Sequence, residues 1–520
     1  MRILDEQARP PAVRVYAWYA LGVLFLVYVV NFIDRQLLSI LAQDIKHALA
    51  ISDSQLGFLY GTAFAVFYAL FGIPLGRLAD GWYRIRLIAL GLATWSLMTA
   101  LSGLAGTFAQ LAIARVGVGV GEASASPAAY SLLGDYFPRE RRALALGIYS
   151  AGLFVGYGLA LPLGGWVSHA WAAHFAHGSA PWGLSGWQAA FLMVGAPGLL
   201  LAVWVATLRE PARGLSEGHP APVARPGAWR AFAVEVAAIL PPLGLWSAAR
   251  AGALRRNLLC LGGTVVLAAL LARCTGDRLQ WSTLAIGVYA VASWVQKLRA
   301  TDPATHALIW GTPALLYAMG AFCCLTFVTY SIGFWFPPYA MRTFAVHADV
   351  AGLLLGVPAA VATTLAVIAG GRISDAWRRR SPRGRIYLCL VSALLPIPIV
   401  YGALTAADVR TFYLLAALEA FTANLYFASM AACVQDCLLP RMRGTGAATS
   451  FIATSFALAV GPYLVGRISV ATGSLRWGIL AVFATTPIAL LLLWRAARLL
   501  PAAEASREER ARAAALLAPS

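Results

Sequence analysis

The chain has 520 residues, of which 60% are hydrophobic and only 12% charged, and its formal net charge is +18. A soluble globular protein carries about 25% charged residues, so the composition excludes a soluble domain and points to a polytopic membrane protein. The excess of base does not indicate nucleic acid, because the basic residues gather in alternate loops between apolar runs, the positive-inside pattern.

Residues 1–14 mix Arg2, Arg9 and Arg14 with Asp5 and Glu6. They predict a cytoplasmic tail before a retained first helix, not a cleaved signal. Apolar runs follow at about 15–43, 54–78, 87–105, 108–134, 144–168 and 187–208. A second set falls at about 312–336, 350–371, 386–406, 411–437, 446–470 and 476–498. Each is long enough to cross a bilayer, which takes roughly 20 residues. The expected domains are therefore an N-terminal six-helix bundle at 15–208, a linker region at 209–311, a C-terminal six-helix bundle at 312–498 and a cytoplasmic tail at 499–520.

Orientation is read from the arginines. Fourteen lie in the short loops 76–86, 139–142, 372–385 and 441–443, whereas only Lys46, Arg342, Arg410, Arg467 and Arg476 lie opposite. That asymmetry places both termini in the cytoplasm of a cell membrane, the inner membrane if the source is bacterial. The loop 168–186 is then external. Its His169, His174 and His177 have no Cys, Asp or Glu beside them, so a solvated loop is expected and not a metal site. The seven cysteines lie in or beside apolar runs and read as small buried hydrophobes, with no disulfide framework and no metal.

Between the halves, 210–230 is rich in Pro and Gly and reads as a linker. Residues 229–249 are apolar but interrupted by Glu235 and Pro241-Pro242, which suits an interfacial segment. Two further runs, about 257–274 and 279–296, are joined by a Thr275-Gly276-Asp277 turn and flanked by Arg255-Arg256 and by Lys297 and Arg299. They predict an inserted transmembrane hairpin, which makes fourteen spanning helices.

The halves resemble each other. Gly76-Arg77-Leu78-Ala79-Asp80, with Arg84 beyond, recurs as Gly371-Arg372-Ile373-Ser374-Asp375, with Arg379 beyond. A parallel duplication of six-helix halves is a transporter plan with its substrate site near the midplane. Each glycine would let helices pack closely, and each aspartate would cap a helix or pair with an arginine.

This doubled loop resembles the signature of the major facilitator superfamily. Asn31-Phe32-Ile33-Asp34-Arg35 and Arg115-Val-Gly-Val-Gly-Val-Gly-Glu122 resemble the Spinster-like branch, as do Asp135–Arg142 and Pro440–Gly444. The likeness covers about 16–210 and 312–498. Gly81 and Tyr83 depart from the usual loop pattern. The resemblance implies an all-α major facilitator fold and points toward lysophospholipid or sphingoid-type lipids as substrate.

Ionisable residues inside apolar runs are costly, by about 2.5–3.5 kcal/mol each on insertion scales, and mark function. Asp34 and Arg35 lie in the first run. Arg115 and Glu122, seven residues apart, share one face of the fourth. We expect an Asp34–Arg115 contact, with Arg35 or water serving Glu122 and Asn31 nearby. Glu122 is the first candidate proton site and Asp34 the second. The competing reading is a static ion network that only ties two helices together. In the second half Glu419 and Tyr330 are the candidate cavity-lining residues, while other aromatic residues near the end of the seventh run suit an interfacial belt.

The expected function is a secondary active transporter, proton-coupled, monomeric, working by alternating access on an amphiphile. A symporter of small organic anions or sugar acids, with Arg35 and Arg115 binding a carboxylate, is the alternative within transport. A non-transporting sensor or scaffold is the alternative outside it. No hydrolase motif lies in the runs, so an enzyme is not expected, and no cofactor or nucleotide motif is present.

Overall fold

The computed structural model describes residues 11–516 apart from 177–178, 215–221, 225, 241–242, 251, 253 and 440–441. Expectations resting on His177, on Pro241-Pro242, on Pro440-Arg441, on the middle of the linker and on residues 1–10 lie outside the described residues.

The fold is all-α. The first half comprises α1 (Pro11–Ile40), the short α2 (Ala42–Leu49), α3 (Asp53–Gly81), α4 (Arg84–Ser102), α5 (Phe108–Glu122), α6 (Ala125–Tyr136), α7 (Arg139–His174) and α8 (Gly186–Ala206). The insert forms α9 (Ala228–Ile239), α10 (Leu243–Arg250), α11 (Leu254–Thr275), α12 (Arg278–Thr301) and α13 (Pro303–Ile309). The second half comprises α14 (Pro313–Phe344), α15 (Ala348–Arg380), α16 (Gly384–Leu394), α17 (Pro396–Thr405), α18 (Val409–Asn424), α19 (Tyr426–Asp436), α20 (Arg443–Thr472), α21 (Leu475–Ala481) and α22 (Thr486–Ala505), with α23 (Arg507–Leu516) in the tail.

Local chemistry sets several of these ends. At the start of α3, Gln55 N–H donates to Ser52 Oγ at 3.2 Å, and Ser52 N–H donates to Gln55 Oε1 at 2.9 Å. That capping box satisfies two donors the helix leaves open. Asp408 accepts from Arg410 N and Thr411 N at the start of α18. Asp302 does the same for α13, which sequence periodicity did not anticipate. The fourth and tenth runs are broken, at Ala123-Ser124 and at Leu425. In the fourth, Ser124 Oγ–H donates to Gly121 O at 2.8 Å, a side-chain competitor for the helix backbone.

Among the described residues twelve helices are long and apolar enough to cross a membrane. They include α11 but not its hairpin partner α12, which carries Gln280, Thr283 and Ser293 on a buried polar face. The broken fourth run is also outside the twelve. The expected fourteen spans therefore stay a proposal.

Two compact units are present. One holds residues 1–49, 71–236 and 347–357, the other 50–70, 237–346 and 358–520. The start of α3 thus belongs with the second unit and the start of α15 with the first. Glycines make both placements. A Cβ on Gly57 would lie 2.4 Å from Pro462 O, and one on Gly61 would lie 2.6 Å from Leu458 O on α20. A Cβ on Gly352 would lie 2.3 Å from Leu161 O, and one on Gly356 would lie 3.0 Å from Gly158 O on α7. Each is a small-xxx-small stripe that lets two helix backbones meet. Their spacing reproduces the 295-residue offset of the Gly76 and Gly371 loops. In the second unit Asp53 is clamped by Arg342 at 2.6 and 2.7 Å and by Ser469 Oγ at 2.8 Å.

From residue 237 on, the insert is integral to the second unit. Asn257 of α11 bonds Tyr289 Oη at 2.7 Å and Ser293 Oγ at 3.2 Å, which fastens the two helices of the hairpin. On its other face α12 offers Gln280 Oε1 to Thr62 Oγ1 at 2.7 Å, and Trp281 packs edge-on against Tyr463.

Candidate functional site

The first-run and fourth-run ionisable groups meet inside the first unit. Asn31 and Arg35 are one turn apart on α1 and face Glu122 at the end of α5. Arg35 Nη2–H donates to Glu122 Oε2 at 2.7 Å, with side-chain exposures of 4% and 0%. The Arg35 guanidinium also stacks over Phe32, 4.6 Å from the ring centre. The dry surroundings strengthen the attraction within this charge-assisted bond, against the cost of desolvating both groups.

Asp34 is fully buried and sits among Arg115, Glu122, Thr99 and Trp95. The expected Asp34–Arg115 contact takes a different form. Arg115 Nη1 reaches the Asp34 backbone carbonyl, at 3.5 Å, while the Asp34 carboxylate faces Arg115, Thr99 and Trp95 without a close side-chain hydrogen bond. Trp95 and Thr99 of α4, beside it, and Glu122 Oε1, near Asn31, likewise make no close hydrogen bond. Buried polar atoms are nearly always paired, so these loosely met groups form one polar cluster inside an otherwise apolar bundle. Trp95 and Thr99 escaped the sequence reading. Their signal was a tryptophan and a hydroxyl one turn apart inside an apolar run.

The glycine run of α5 explains how these side chains converge. A Cβ on Gly121 would lie 2.8 Å from Trp95 N, and one on Gly117 would lie 2.5 Å from Met98 Cγ. The small faces draw α5 onto α4 until Glu122 and Trp95 share one buried space.

In the second unit Glu419 of α18 is buried, its Oε1 lacks a partner, and it forms no ion pair among the described residues. Tyr330 of α14 is half-buried near Tyr426, whose hydroxyl lies 3.1 Å from Thr326 Oγ1.

The repeated loops correct the expectations for Gly76, Gly371 and Arg379. A Cβ on Gly76 would meet nothing within 4 Å, and one on Gly371 would meet only Ala428 Cβ, at 3.6 Å. The close approach in the second half falls instead on Gly370, where a Cβ would lie 2.2 Å from Leu425 O. Arg379 is exposed and forms no ion pair among the described residues; the counterpart of Arg84 is Arg385. Arg84 is fully buried and pairs with Asp135 and, at 2.9 Å, with Glu210. Arg385 pairs with Asp436 and, at 3.7 Å, with Asp375. The offset from Arg84 to Arg385 and from Asp135 to Asp436 is the same 301 residues, because the second loop is six residues longer. Asp80 is exposed, and the cap at the start of α4 is Glu210. The Glu210 carboxylate accepts from Arg84 N at 2.8 Å and Ile85 N at 3.0 Å.

Outside these clusters, His169 packs against His347 with ring centroids 5.1 Å apart. No group of three or more His, Cys, Asp or Glu among the described residues is arranged to hold a metal.

This chain is similar to Protein spinster homolog 1 of Xenopus tropicalis, 26% identical over 471 residues, 86% of this chain and 72% of that protein. It is also similar to the probable galactarate/D-glucarate transporter GudP of Bacillus subtilis (strain 168), 30% identical over 201 residues, 37% of this chain and 41% of that one. The crystal structure of a bacterial homolog to the human lysosomal transporter Spinster, inward-facing and unoccupied, superposes with a TM-score of 0.72 at 24% identity, covering 94% of this chain and 98% of that one. The family model of the Major Facilitator Superfamily matches residues 24–405 and 318–519. With twelve helices among the described residues long and apolar enough to cross a membrane, a duplicated loop and that match, the chain belongs to the major facilitator superfamily.

Proposed function

We propose that this multi-pass transporter is a proton-coupled secondary carrier of an amphiphile, with Glu122 as the proton site and Asp34 beside it. The observation that carries this reading is the dry Arg35–Glu122 pair set next to the fully buried Asp34 carboxylate. Protonating Glu122 would cancel the charge that holds Arg35, and the freed guanidinium would then seek another partner. A gain or loss of one proton is thereby tied to movement of α1 against α5, which is what coupling requires. Asp34 and Thr99 supply adjoining groups through which a proton could reach Glu122, and Trp95 Nε1–H can only donate to the Asp34 carboxylate.

The amphiphile is favoured because neither arginine is idle. Arg35 is held by Glu122, and Arg115 reaches the Asp34 carbonyl, so no pair of free guanidinium groups stands ready for a dicarboxylate. The likeness to the spinster homolog runs along most of the chain, and the lipid-like substrate is what the resemblance of 31–35 and 115–122 to the Spinster-like branch implies. The likeness to the sugar-acid transporter, over about 200 residues of the chain, keeps that substrate class as the second arm of the test.

Proteoliposomes holding a pH gradient separate these possibilities. Flux of a lysophospholipid or sphingoid base is expected, driven by the gradient, with little flux of galactarate. Glu122→Gln should abolish the response to the gradient, and Asp34→Asn should reduce it at least tenfold. Unchanged flux and unchanged pH dependence in Glu122→Gln would overturn the proton assignment. Gradient-driven galactarate flux alone would overturn the substrate class, and no flux of either would favour a sensor or scaffold.

A further inference from the structure

The inserted hairpin carries a binding groove of its own. The Asn257 seam closes one end of the hairpin. Between that seam and the 275–277 turn, a cavity of about 770 Å³ lies along α11 and α12. Its walls are Leu261, Val265, Ala268, Ala269, Ala285 and Ile286. The small residues on both helices create the space, since larger ones would fill it. The volume is within the ~300–1,000 Å³ typical of small-molecule sites.

Two features say what would occupy it. The first is the setting. None of the eighteen most apolar residues of α11 is buried in the protein, and Leu259, Val266 and Leu267 stand outward, each more than half exposed. Such a helix borders lipid. From Leu261 to Arg273 is twelve residues, or about 18 Å of helix, close to the ~15 Å depth of one leaflet, taken as half of the ~30 Å hydrocarbon core. The second is charge. Arg273 and Arg278 both line the turn end of the cavity, on either side of Gly276. Both are exposed, and neither makes an ion pair among the described residues. The nearby acid, Asp277, is engaged by Tyr463 at 2.6 Å and Arg467 at 3.6 Å. Two open guanidinium groups at the mouth of a leaflet-deep apolar groove complement a phosphate ester with an acyl chain.

We propose that this groove binds one anionic phospholipid, its acyl chain along Val265 and Ala268 and its phosphate between Arg273 and Arg278. The site is separate from the Arg35–Glu122 cluster and does not depend on the transport reading.

Native mass spectrometry of the full-length protein in detergent tests this. Phosphatidylglycerol and phosphatidylcholine with identical acyl chains are added in turn. Phosphatidylglycerol should be retained at least tenfold better. Arg273→Gln/Arg278→Gln, on exposed positions, should erase that preference, and Ala268→Trp should lower retention of both lipids. Thermal melts in detergent check that each variant is folded. Equal retention of the two lipids would mean annular lipid only and would overturn the site. So would a preference that survives loss of both arginines, or retention that survives filling of the groove.

Discussion

Arg35 and Glu122 form an ion pair that was bought at the cost of two full desolvations. Removing one partner leaves the other charge buried and alone. Arg35→Gln should therefore destabilise the protein by about 3–5 kcal/mol, read as a fall in melting temperature in detergent. Arg35→Gln/Glu122→Gln should recover most of that loss, because no charge is then stranded, while gradient-driven flux stays absent. Additive losses in the double variant would mean that the two groups do not act as a pair. The sequence made both residues conspicuous, since charges inside apolar runs are rare. It did not show that Arg115 would reach the Asp34 backbone carbonyl while the carboxylate turned toward Thr99 and Trp95. That outcome depends on side-chain reach of a few tenths of an ångström, which helical spacing does not encode.

At the scale of elements, the glycines decide which helices touch. Gly57 and Gly61 bring α3 onto α20, and Gly352 and Gly356 bring α15 onto α7. The motif glycines Gly76 and Gly371 do not act this way, although their repetition made them prominent. Gly370→Ala should cost about 1–3 kcal/mol, the usual range for overpacking, because its Cβ would strike the Leu425 carbonyl. Gly371→Ala and Gly76→Ala should be tolerated. Melting temperatures of the three variants check this, and equal losses would return the role to the motif glycines. Repeats are legible in a sequence, but the partner a small residue faces is not. A one-residue step along a helix turns a position by about 100°, so Gly370 meets a backbone and Gly371 does not.

For the whole molecule, the open question is the path of the insert. Cys274 lies beside the hairpin turn and is the one exposed residue among the seven free cysteines. If α11 and α12 both cross the membrane, as we propose, the turn is external. A membrane-impermeant maleimide should then label intact cells, and Cys274→Ser should remove that labelling. Labelling only after permeabilisation would place the turn inside and refute fourteen spans with cytoplasmic termini. The class of the molecule was settled by composition alone, because 12% charge cannot cover a soluble surface of this size. The doubled loop and the charged stretches at 31–35 and 115–122 further disclosed the family. Tertiary structure alone decided that the first segment of α3 and that of α15 each join the opposite unit, that α12 packs on α3 and α20, and that Arg385 stands where Arg379 was expected. Hydropathy reports how readily a segment leaves water. Which segments then meet depends on shape complementarity between surfaces far apart in the chain, and that information belongs to the pair of surfaces and to neither sequence stretch by itself.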